Sequence, residues 1–489
     1  MRRVLSVVLA AAALALVPSA APAATGADEL PAVDYPGLQH LHYEYGPIAI
    51  APGQNTIELE PNKLKPQVPG YITRFKPNLV YAKDHTVPRV DVLHLHHGVW
   101  IIRGYPTFAA GEEKTITQAP QGYGFHHDPA DRWDMNYMIH NLTPNPESVY
   151  LTYDIDFLPD SEPAAASMRA IEPLWMDVAG IRPYPVFDVK RGWGARGTYT
   201  FPKQARGAQR SNIGAAHQFT AQSDMTLIGT GGHLHPGGLY TGLTALRGSV
   251  SRNVFHSEAQ YFEPAGAVSW DVAMTVTKPD WKVALRAGDG LRVSATYDTR
   301  RGSWYESMGI MVVWFTRGIV AGAKDPFTET VDNRGIPSHG HLPENDNHGG
   351  ATLGLPDART LLAGAPASTV LIKDFLYGRG DLNNAIGRVP TIRRGRSLTF
   401  TNRDDSRTIW HTVTGCRAPC NRTTGIAYPL ADGASFDSGE LGTDPTRPYF
   451  TASSGRKSWK TPATLKPGTY NYFCRIHPFM RGAFRVVNR

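Results

Sequence analysis

The sequence predicts an all-β protein built from several β-sandwich blocks. Its 489 residues include 48 Gly and 38 Pro, a composition typical of chains in which turns separate many short strands. Apolar and polar residues alternate with a period of two over long stretches, as from Val149 to Phe157, whereas long amphipathic helical patterns are scarce. A chain of this length has material for about three domains.

The start of the chain predicts export. Two arginines precede an apolar run from Val4 to Val17, and small residues follow at 21–23, the pattern of a secretory signal peptide. We therefore predict a signal peptide over residues 1–24, cut near Ala23 or Ala24. An uncleaved anchor is the alternative, but the run is shorter than the ~20 apolar residues that a membrane span needs. With no other candidate membrane segment, we expect a secreted or periplasmic protein.

Three strand-rich blocks follow the signal peptide. We predict a first sandwich over 25–165, a second over 166–319 and a third over 368–489. Residues 320–367 are rich in Gly, Pro, Asp and His with little periodicity, which predicts a connector. The net charge of +7 comes from scattered Lys and Arg without a basic run interleaved with aromatics, so we expect no nucleic-acid partner.

The third block ends in a pattern of metal ligands. Cys474, His477 and Met480 follow an aromatic strand-like run at C-x2-H-x2-M spacing, and His411 lies in a strand-like run upstream. Two imidazoles, a thiolate and a weakly bound thioether are the donor set of a blue-copper electron-transfer site. We therefore predict a type 1 copper here, the alternative being a buried Cys and Met in an ordinary core.

The two remaining cysteines lie close together in the third block. If Cys474 binds metal, Cys416 and Cys420 are left to pair, and an oxidising compartment would permit that disulfide. Spacing alone does not guarantee a geometry that can be bridged, so two free thiols stay open as the alternative.

These residues resemble those of the cupredoxins over the whole third block. The short ligand loop, with Pro478 after its histidine, is most similar to that of the amicyanin type. The resemblance implies a cupredoxin β-sandwich that carries electrons.

The first block concentrates imidazoles in two segments. One contains His94, His96 and His97, and the other is a strand-like run that carries His140. Strand alternation places His94 and His96 on one face, whereas the adjacent His96 and His97 converge only where the strand ends or twists. A site of three imidazoles suits a copper ion that only passes electrons. Ordinary core or solvated histidines are the alternative.

The second block offers a different donor set. His233 and His235 are two residues apart, so on a strand both rings project from one face and can share a metal ion. Met308 lies on a later strand-like run. A His-x-His pair with a thioether forms an open, soft site that stabilises Cu(I) and leaves room for dioxygen. Core packing is the alternative reason for the methionine.

Taken together, these motifs resemble the copper type II, ascorbate-dependent monooxygenases, the family of peptidylglycine α-hydroxylating monooxygenase and dopamine β-monooxygenase. The resemblance implies two jelly-roll domains with one mononuclear, type 2-like copper each. It assigns the electron-transfer copper to His96, His97 and His140, and the catalytic, oxygen-activating copper to His233, His235 and Met308.

The resemblance weakens around the substrate. The peptide-processing members hold a substrate carboxylate with an arginine two residues before the His-x-His pair, where this chain has Gly231. Their further polar substrate contacts correspond to Ile310 and Val312. We therefore expect a less polar substrate, a small molecule or peptide whose identity the sequence does not give.

The function expected from these sites is that of a secreted copper monooxygenase. It would hydroxylate a substrate C–H bond with O2 and draw electrons through the type 1 site from an external donor, an ascorbate-like reductant or a redox protein. A non-catalytic copper-binding or electron-transfer protein and an O2-reducing copper oxidase are the alternatives. Further histidines are expected in solvated loops or beside ligands, with metal binding as the alternative: His126, His127, His339, His341 and His348.

Overall fold

The computed structural model describes residues 30–54, 56–90, 92–180, 186–262, 267, 270–300, 304–341, 355–407, 409–416, 436–443, 455–477 and 479–488. The predicted signal peptide lies outside these residues, as do His348, Cys420 and Pro478. Within the described ranges, no helix is long and apolar enough to cross a membrane.

The first block is a sandwich of two sheets. Its strands are β1 (Gln39–Ile50), β2 (Ile57–Pro61), β3 (Gly70–Tyr81), β4 (Leu93–Ile102), β5 (Tyr105–Ala110), β6 (Thr117–Gln118), β7 (Tyr123–His127), β8 (Trp133–Asn141) and β9 (Glu147–Pro159). One sheet has the order β1-β9-β3-β7, with β6 on β3 and the short β10 (Arg169–Ala170) beside β7; the other has the order β2-β8-β4-β5. Inward aromatic residues join the sheets, as where the rings of Phe75 and Trp100 meet at 4.7 Å.

The second block has an eleven-stranded sheet folded around its own core and a separate two-stranded sheet. Its strands are β11 (Glu172–Asp177), β12 (Phe187–Val189), β13 (Thr198–Phe201), β14 (Gln218–Thr220), β15 (Met225–Leu234), β16 (Gly238–Arg247), β17 (Val250–Tyr261), β18 (Val272–Val276), β19 (Val283–Leu285), β20 (Gly290–Asp298), β21 (Trp304–Ser307), β22 (Gly309–Arg317) and β23 (Ile336–Pro337). The main path of the larger sheet runs β11-β22-β15-β18-β17-β16-β20-β13, whereas β12 and β21 form the smaller one. Strand β23 pairs with β18, so part of the predicted connector adds to the larger sheet.

The third block has a five-stranded and a three-stranded sheet. Its strands are β24 (Leu362–Pro366), β25 (Thr369–Ile372), β26 (Arg388–Arg393), β27 (Thr399–Asn402), β28 (Thr414–Cys416), β29 (Ser458–Lys460), β30 (Gly468–Phe473) and β31 (Arg481–Val487). The sheet orders are β24-β26-β31-β30-β28 and β25-β27-β29. Strand β24, which belongs to the predicted connector, thus pairs within this block.

The all-β prediction is confirmed. Helical structure in the described residues is limited to short 3-10 segments, at Pro163–Ser167, Gly207–Asn212, Ala215–His217 and Gly378–Gly380. The first two blocks also share apolar packing, because Ile228 and Trp314 of the second block join the hydrophobic core of the first. The ring of Trp314 lies 5.2 Å from that of Phe108. This contact brings the histidine-bearing strands of the two blocks toward each other.

Candidate metal centres

His411, Cys474 and His477 form a buried group in the third block, which we call the type 1 candidate site together with Met480. Their ligand atoms lie within 4.8 Å of one another. The Cys474 Sγ is 4.0 Å from Nδ1 of His411 and 3.7 Å from Nδ1 of His477, and the two Nδ1 atoms are 3.3 Å apart. Three donor atoms therefore converge on one point.

The dimensions of this triangle fit a metal ion. A first-row ion with metal–nitrogen bonds of about 2.0 Å and a metal–sulfur bond of about 2.3 Å separates its donors by roughly 3.3 to 3.7 Å. The observed separations are 3.3, 3.7 and 4.0 Å. Two backbone N–H groups, of Thr412 and His477, donate to the sulfur at 3.3 and 3.4 Å, which stabilises a thiolate.

The ligand loop folds back between β30 and β31 and carries Met480 into the same core. The Met480 N–H donates to the His477 carbonyl at 2.9 Å, and the Cys474 N–H donates to the Met480 carbonyl at 3.2 Å. Met480 is fully buried with Cys474 among apolar side chains of the third block. Cys474 is a free thiol, whereas Cys416 is disulfide-bonded.

Asp404 fixes the orientation of the His411 imidazole in this site. Its Oδ2 lies 2.8 Å from the His411 Nε2, so the imidazole presents Nδ1 to the group. The same carboxylate accepts the backbone N–H groups of Asp374 and Phe375 at 2.6 and 3.3 Å. Both of these residues have a left-handed φ, of 53° and 58°, a conformation that costs energy outside glycine and concentrates at functional sites. The Phe375 ring packs edge-on against His411 and His477.

A second concentration of imidazoles lies where the first two blocks meet. We call it the histidine cluster; its members are His94, His96, His97, His140, His233 and His235. The ring of His96 lies 4.7 Å from that of His140 and 4.3 Å from that of His235, so the donor sets of the two blocks are in contact. The Trp270 ring stacks on His94 at 4.4 Å and closes one side.

A β-bulge explains how two adjacent histidines of the first block converge. The pairing of β4 with β8 shifts between Leu95 and His97, which makes His96 the extra residue. The Nδ1 atoms of His96 and His97 come within 3.3 Å, a separation that one shared metal ion fits. His97 Nε2 is held by the Asn136 side chain at 2.9 Å. His94 is also close, directly opposite His140 in the register, so the structure keeps all four imidazoles of this block together.

The second block presents two nitrogens to the same interior. Nδ1 of His233 lies 3.0 Å from Glu113, and Nδ1 of His235 contacts the carbonyl of Glu306. Their Nε2 atoms, like that of His140, are buried and have no hydrogen-bond partner within the described part of the chain. A buried polar atom left without a partner costs about 1–3 kcal/mol, so a ligand for these nitrogens is expected.

Met308 is placed beside His235 by Tyr297. Continuing the β15–β22 register, in which His233 pairs with Ile310 and Leu234 with Gly309, puts His235 opposite Met308. The buried Tyr297 hydroxyl donates to the Met308 carbonyl at 2.6 Å and accepts the N–H groups of Met308 and His235 at 3.1 and 3.3 Å. One hydroxyl thus ties the His-x-His strand to the methionine.

Glu113 crosses from the first block to the second. It belongs to a buried charged loop after β5, in which Glu112 and Lys114 pair at 3.0 Å. Burial alone would raise the pKa of Glu113, but the neighbouring His233 and the backbone N–H of Gly111 lower it below its ordinary value. His233 therefore faces a carboxylate from the other sandwich.

Burial keeps five of the cluster imidazoles neutral, those of His94, His96, His97, His140 and His235. It lowers the pKa of His94 to about 3 and that of His97 to about 4. The pKa values of His96, His140 and His235 also fall well below the usual value, first through burial and then through the neighbouring histidines. A neutral imidazole has the lone pair that a metal ion needs. Among the described residues, however, the type 1 candidate site is the one group of three His, Cys or carboxylate ligands within 4.8 Å.

Four histidines expected away from the metal sites have protein partners, namely His126, His127, His339 and His341. His126 Nε2 lies 3.0 Å from Asp160, and the buried His127 contacts the Pro66 carbonyl at 2.9 Å. In the predicted connector, both ring nitrogens of His339 face carbonyl oxygens, those of Gly340 and Glu113. His341 Nδ1 lies 3.3 Å from a carboxylate oxygen of Asp271. His348 lies outside the described residues.

Sequence reasoning missed several residues that shape these sites: Glu113, Tyr297, Trp270, Asp404 and Phe375. No local signal marks them: most act on a ligand that is distant in the chain, and Asp404, seven residues before His411, lies in no recognisable ligand motif. The tandem acidic residues before Lys114 are usually a sign of an exposed loop. Their burial follows only from the contact between the first two blocks.

Comparisons with known proteins give weak similarity. The chain matches no protein-family model and no curated protein sequence. A purple cupredoxin from Nitrosopumilus maritimus is similar at 20% identity, over 20% of this chain and 75% of that chain, with a TM-score of 0.13. A reduced amicyanin variant is similar at 22% identity, over 25% of this chain and 82% of that chain, with a TM-score of 0.16. A copper-containing nitrite reductase from Thermus scotoductus is similar at 16% identity, over 54% of this chain and 55% of that chain, with a TM-score of 0.17. Scores this low support no conclusion about this chain.

Proposed function

We propose that this protein is a copper-dependent monooxygenase that hydroxylates a substrate C–H bond with O2 and receives electrons through a type 1 copper site. The observation that carries the proposal is the pair of buried Nε2 atoms of His233 and His235 that have no hydrogen-bond partner among the described residues, on a strand whose backbone Tyr297 links to that of Met308. Copper bound there would supply one-electron chemistry with O2. The protein would work outside the cytoplasm, with an ascorbate-like reductant or a redox protein as donor.

The chain's own residues would hold and orient the metal. Glu113 and the Glu306 carbonyl engage Nδ1 of His233 and His235, so each imidazole offers Nε2 to the interior. The Met308 thioether adds a soft donor that favours Cu(I). The two Nδ1 atoms of His96 and His97 would hold a second copper with His140, and the type 1 candidate site a third.

A cavity next to His233 supports an apolar substrate. It measures about 60 Å³, on the scale of four or five water molecules, and lies between the first two blocks. Ile310, Val312 and Trp314 line one side, and Gly231 stands where a carboxylate-binding arginine would be expected. The polar lining consists mainly of threonine hydroxyls and Glu113. This surface favours a small, largely apolar substrate without a carboxylate.

The test measures the copper content of the protein first and its turnover of substrate second. Copper-loaded protein should be blue, hold three coppers per chain and consume O2 with ascorbate when a substrate is present. Met308→Ile should abolish hydroxylation while the type 1 absorption persists. Met225→Ile is the matched control, because Met225 is a buried methionine in the core of the second block. A blue protein with a single copper would exclude the monooxygenase.

An O2-reducing copper oxidase is the second candidate. The ring contact of His96 with His235 at 4.3 Å favours it, because metal ions held by touching imidazoles would be close enough to reduce O2 together. Labelled dioxygen separates the two functions. A monooxygenase places one labelled oxygen atom in the organic product, whereas an oxidase places both in water or peroxide.

A further inference from the structure

A backbone carbonyl of the first block reaches the type 1 candidate site of the third block. Residues 51–54 follow β1, and the Gly53 carbonyl oxygen lies 3.3 Å from Nε2 of His477. His477 is fully buried, and its Nδ1 faces the other donors of the type 1 candidate site. The imidazole therefore connects that site, through its second nitrogen, to the first block.

Glycine is required for this approach. Gly53 has a φ of +64°, and a Cβ built there would lie 2.5 Å from the Phe375 ring and 2.9 Å from Nε2 of His477. Contacts below 3.0 Å do not occur for real Cβ atoms, so any side chain would push the segment away from the site. A left-handed φ adds to the strain of a substitution.

From Gly53 the hydrogen-bonded path continues to the histidine cluster. The carbonyl of the next residue, Gln54, accepts the Asn141 N–H at 2.9 Å, and Asn141 directly follows His140. The Asn141 side chain also donates to the Ala51 carbonyl at 3.1 Å, which holds the segment in place. Between His477 and His140 the path thus consists of covalent bonds and two hydrogen bonds.

We propose that the Gly53–Gln54 segment is the electron relay from the type 1 site to the copper that His140 holds; this rests on the proposed function. Electrons tunnel more readily through covalent and hydrogen bonds than across gaps. In each transfer one electron leaves Cu(I) at the type 1 site, which becomes Cu(II), and reduces Cu(II) at the histidine cluster to Cu(I). An external one-electron donor of the ascorbate class then reduces the type 1 copper again.

The test measures transfer between the coppers without substrate. In anaerobic, copper-loaded protein, a flash-generated reductant bleaches the blue absorption, and the rate of its recovery reports transfer to the cluster. Gly53→Ala should slow this recovery at least tenfold while the copper content stays unchanged. Gly104→Ala is the matched control, since Gly104 has a φ of +77° and no heavy atom within 4 Å of its added Cβ.

A second variant covers the case in which Gly53→Ala perturbs the blue site itself. Asn141→Ser shortens the side chain that holds Ala51 and leaves Phe375 and His477 untouched, and it should slow the recovery severalfold. An unchanged rate in both variants, with transfer intact in the wild type, would overturn the relay alone. A wild type that holds copper only at the type 1 site would overturn the relay and the proposed function together.

Discussion

Glu113 is predicted to control copper binding in the second block although it belongs to the first. Its Oε2 lies 3.0 Å from Nδ1 of His233, and its Oε1 accepts the Gly111 N–H at 2.8 Å. Replacing it by glutamine keeps the size of the side chain and an acceptor oxygen but removes the negative charge. The substitution therefore tests the charge on the histidine's partner with little change in packing.

The expected size of the effect follows from this one contact. Hydrogen bonds to charged groups contribute about 1.5–3 kcal/mol and neutral ones about 0.5–1.5 kcal/mol, so Glu113→Gln should lose about 1–2 kcal/mol. Groups that hold a metal-binding histidine typically change metal affinity by about 10–100-fold, which corresponds to about 1.4–2.7 kcal/mol. The two estimates overlap at about 1.4–2 kcal/mol, a loss of roughly tenfold to thirtyfold.

The assay is a competition titration of Cu(I)-loaded protein with a chelator. Copper of the histidine cluster should leave at a chelator concentration about tenfold or more lower in the variant, while the type 1 copper serves as an internal reference. A shift below twofold would refute the role of Glu113. An equal weakening of the type 1 site would point instead to a general loss of structure.

Three further predictions concern single side chains. Tyr297→Phe should destabilise the second block by about 2–4 kcal/mol, because the backbone groups of His235 and Met308 lose a buried hydrogen-bond partner. Chemical denaturation of the copper-free protein measures the free energy of unfolding, and a loss below about 0.5 kcal/mol would contradict the prediction. Cys474→Ser should remove the blue absorption and one copper per chain while the histidine cluster keeps its metal, as metal analysis and spectroscopy would show; loss of all copper would contradict separate sites. Burial lowers the pKa of His127, so below about pH 6.5 the unfolded chain binds a proton at this residue before the folded chain does. Stability should fall toward acid by up to about 1.4 kcal/mol per pH unit from this residue, and His127→Gln should flatten the slope in denaturation at pH 7, 6 and 5.

The sequence predicts strands and local ligand spacing well, because both depend on neighbouring residues. The alternation from Val149 to Phe157 falls within β9, and the spacing from Cys474 to His477 is short enough for one loop to set. The two residues of β23 are too few to show an alternation of apolar and polar residues, so the sequence does not predict this strand. Its pairing with β18 depends on tertiary packing alone.

The arrangement of the histidine cluster could not be predicted from the sequence. The motifs predict one set of metal donors in each of the first two blocks. The contact between His96 and His235, however, depends on how these two blocks pack against each other. Strand alternation favoured His94 with His96, whereas the resemblance favoured His96 with His97; the bulge at His96 brings His96 and His97 together and keeps His94 close. A bulge leaves no mark in a pattern of period two.

The C-terminal end of β8 connects the candidate centres. His140 lies opposite His94 in the register and against His96, whereas the next residue, Asn141, holds the segment that reaches His477. Neighbouring residues on a strand point to opposite faces, so one strand end can face both centres at once. The first block therefore contacts both centres, and a third block that was expressed separately would lose the Gly53 carbonyl at its ligand His477. This makes the first block a structural link between the centres as well as a source of ligands.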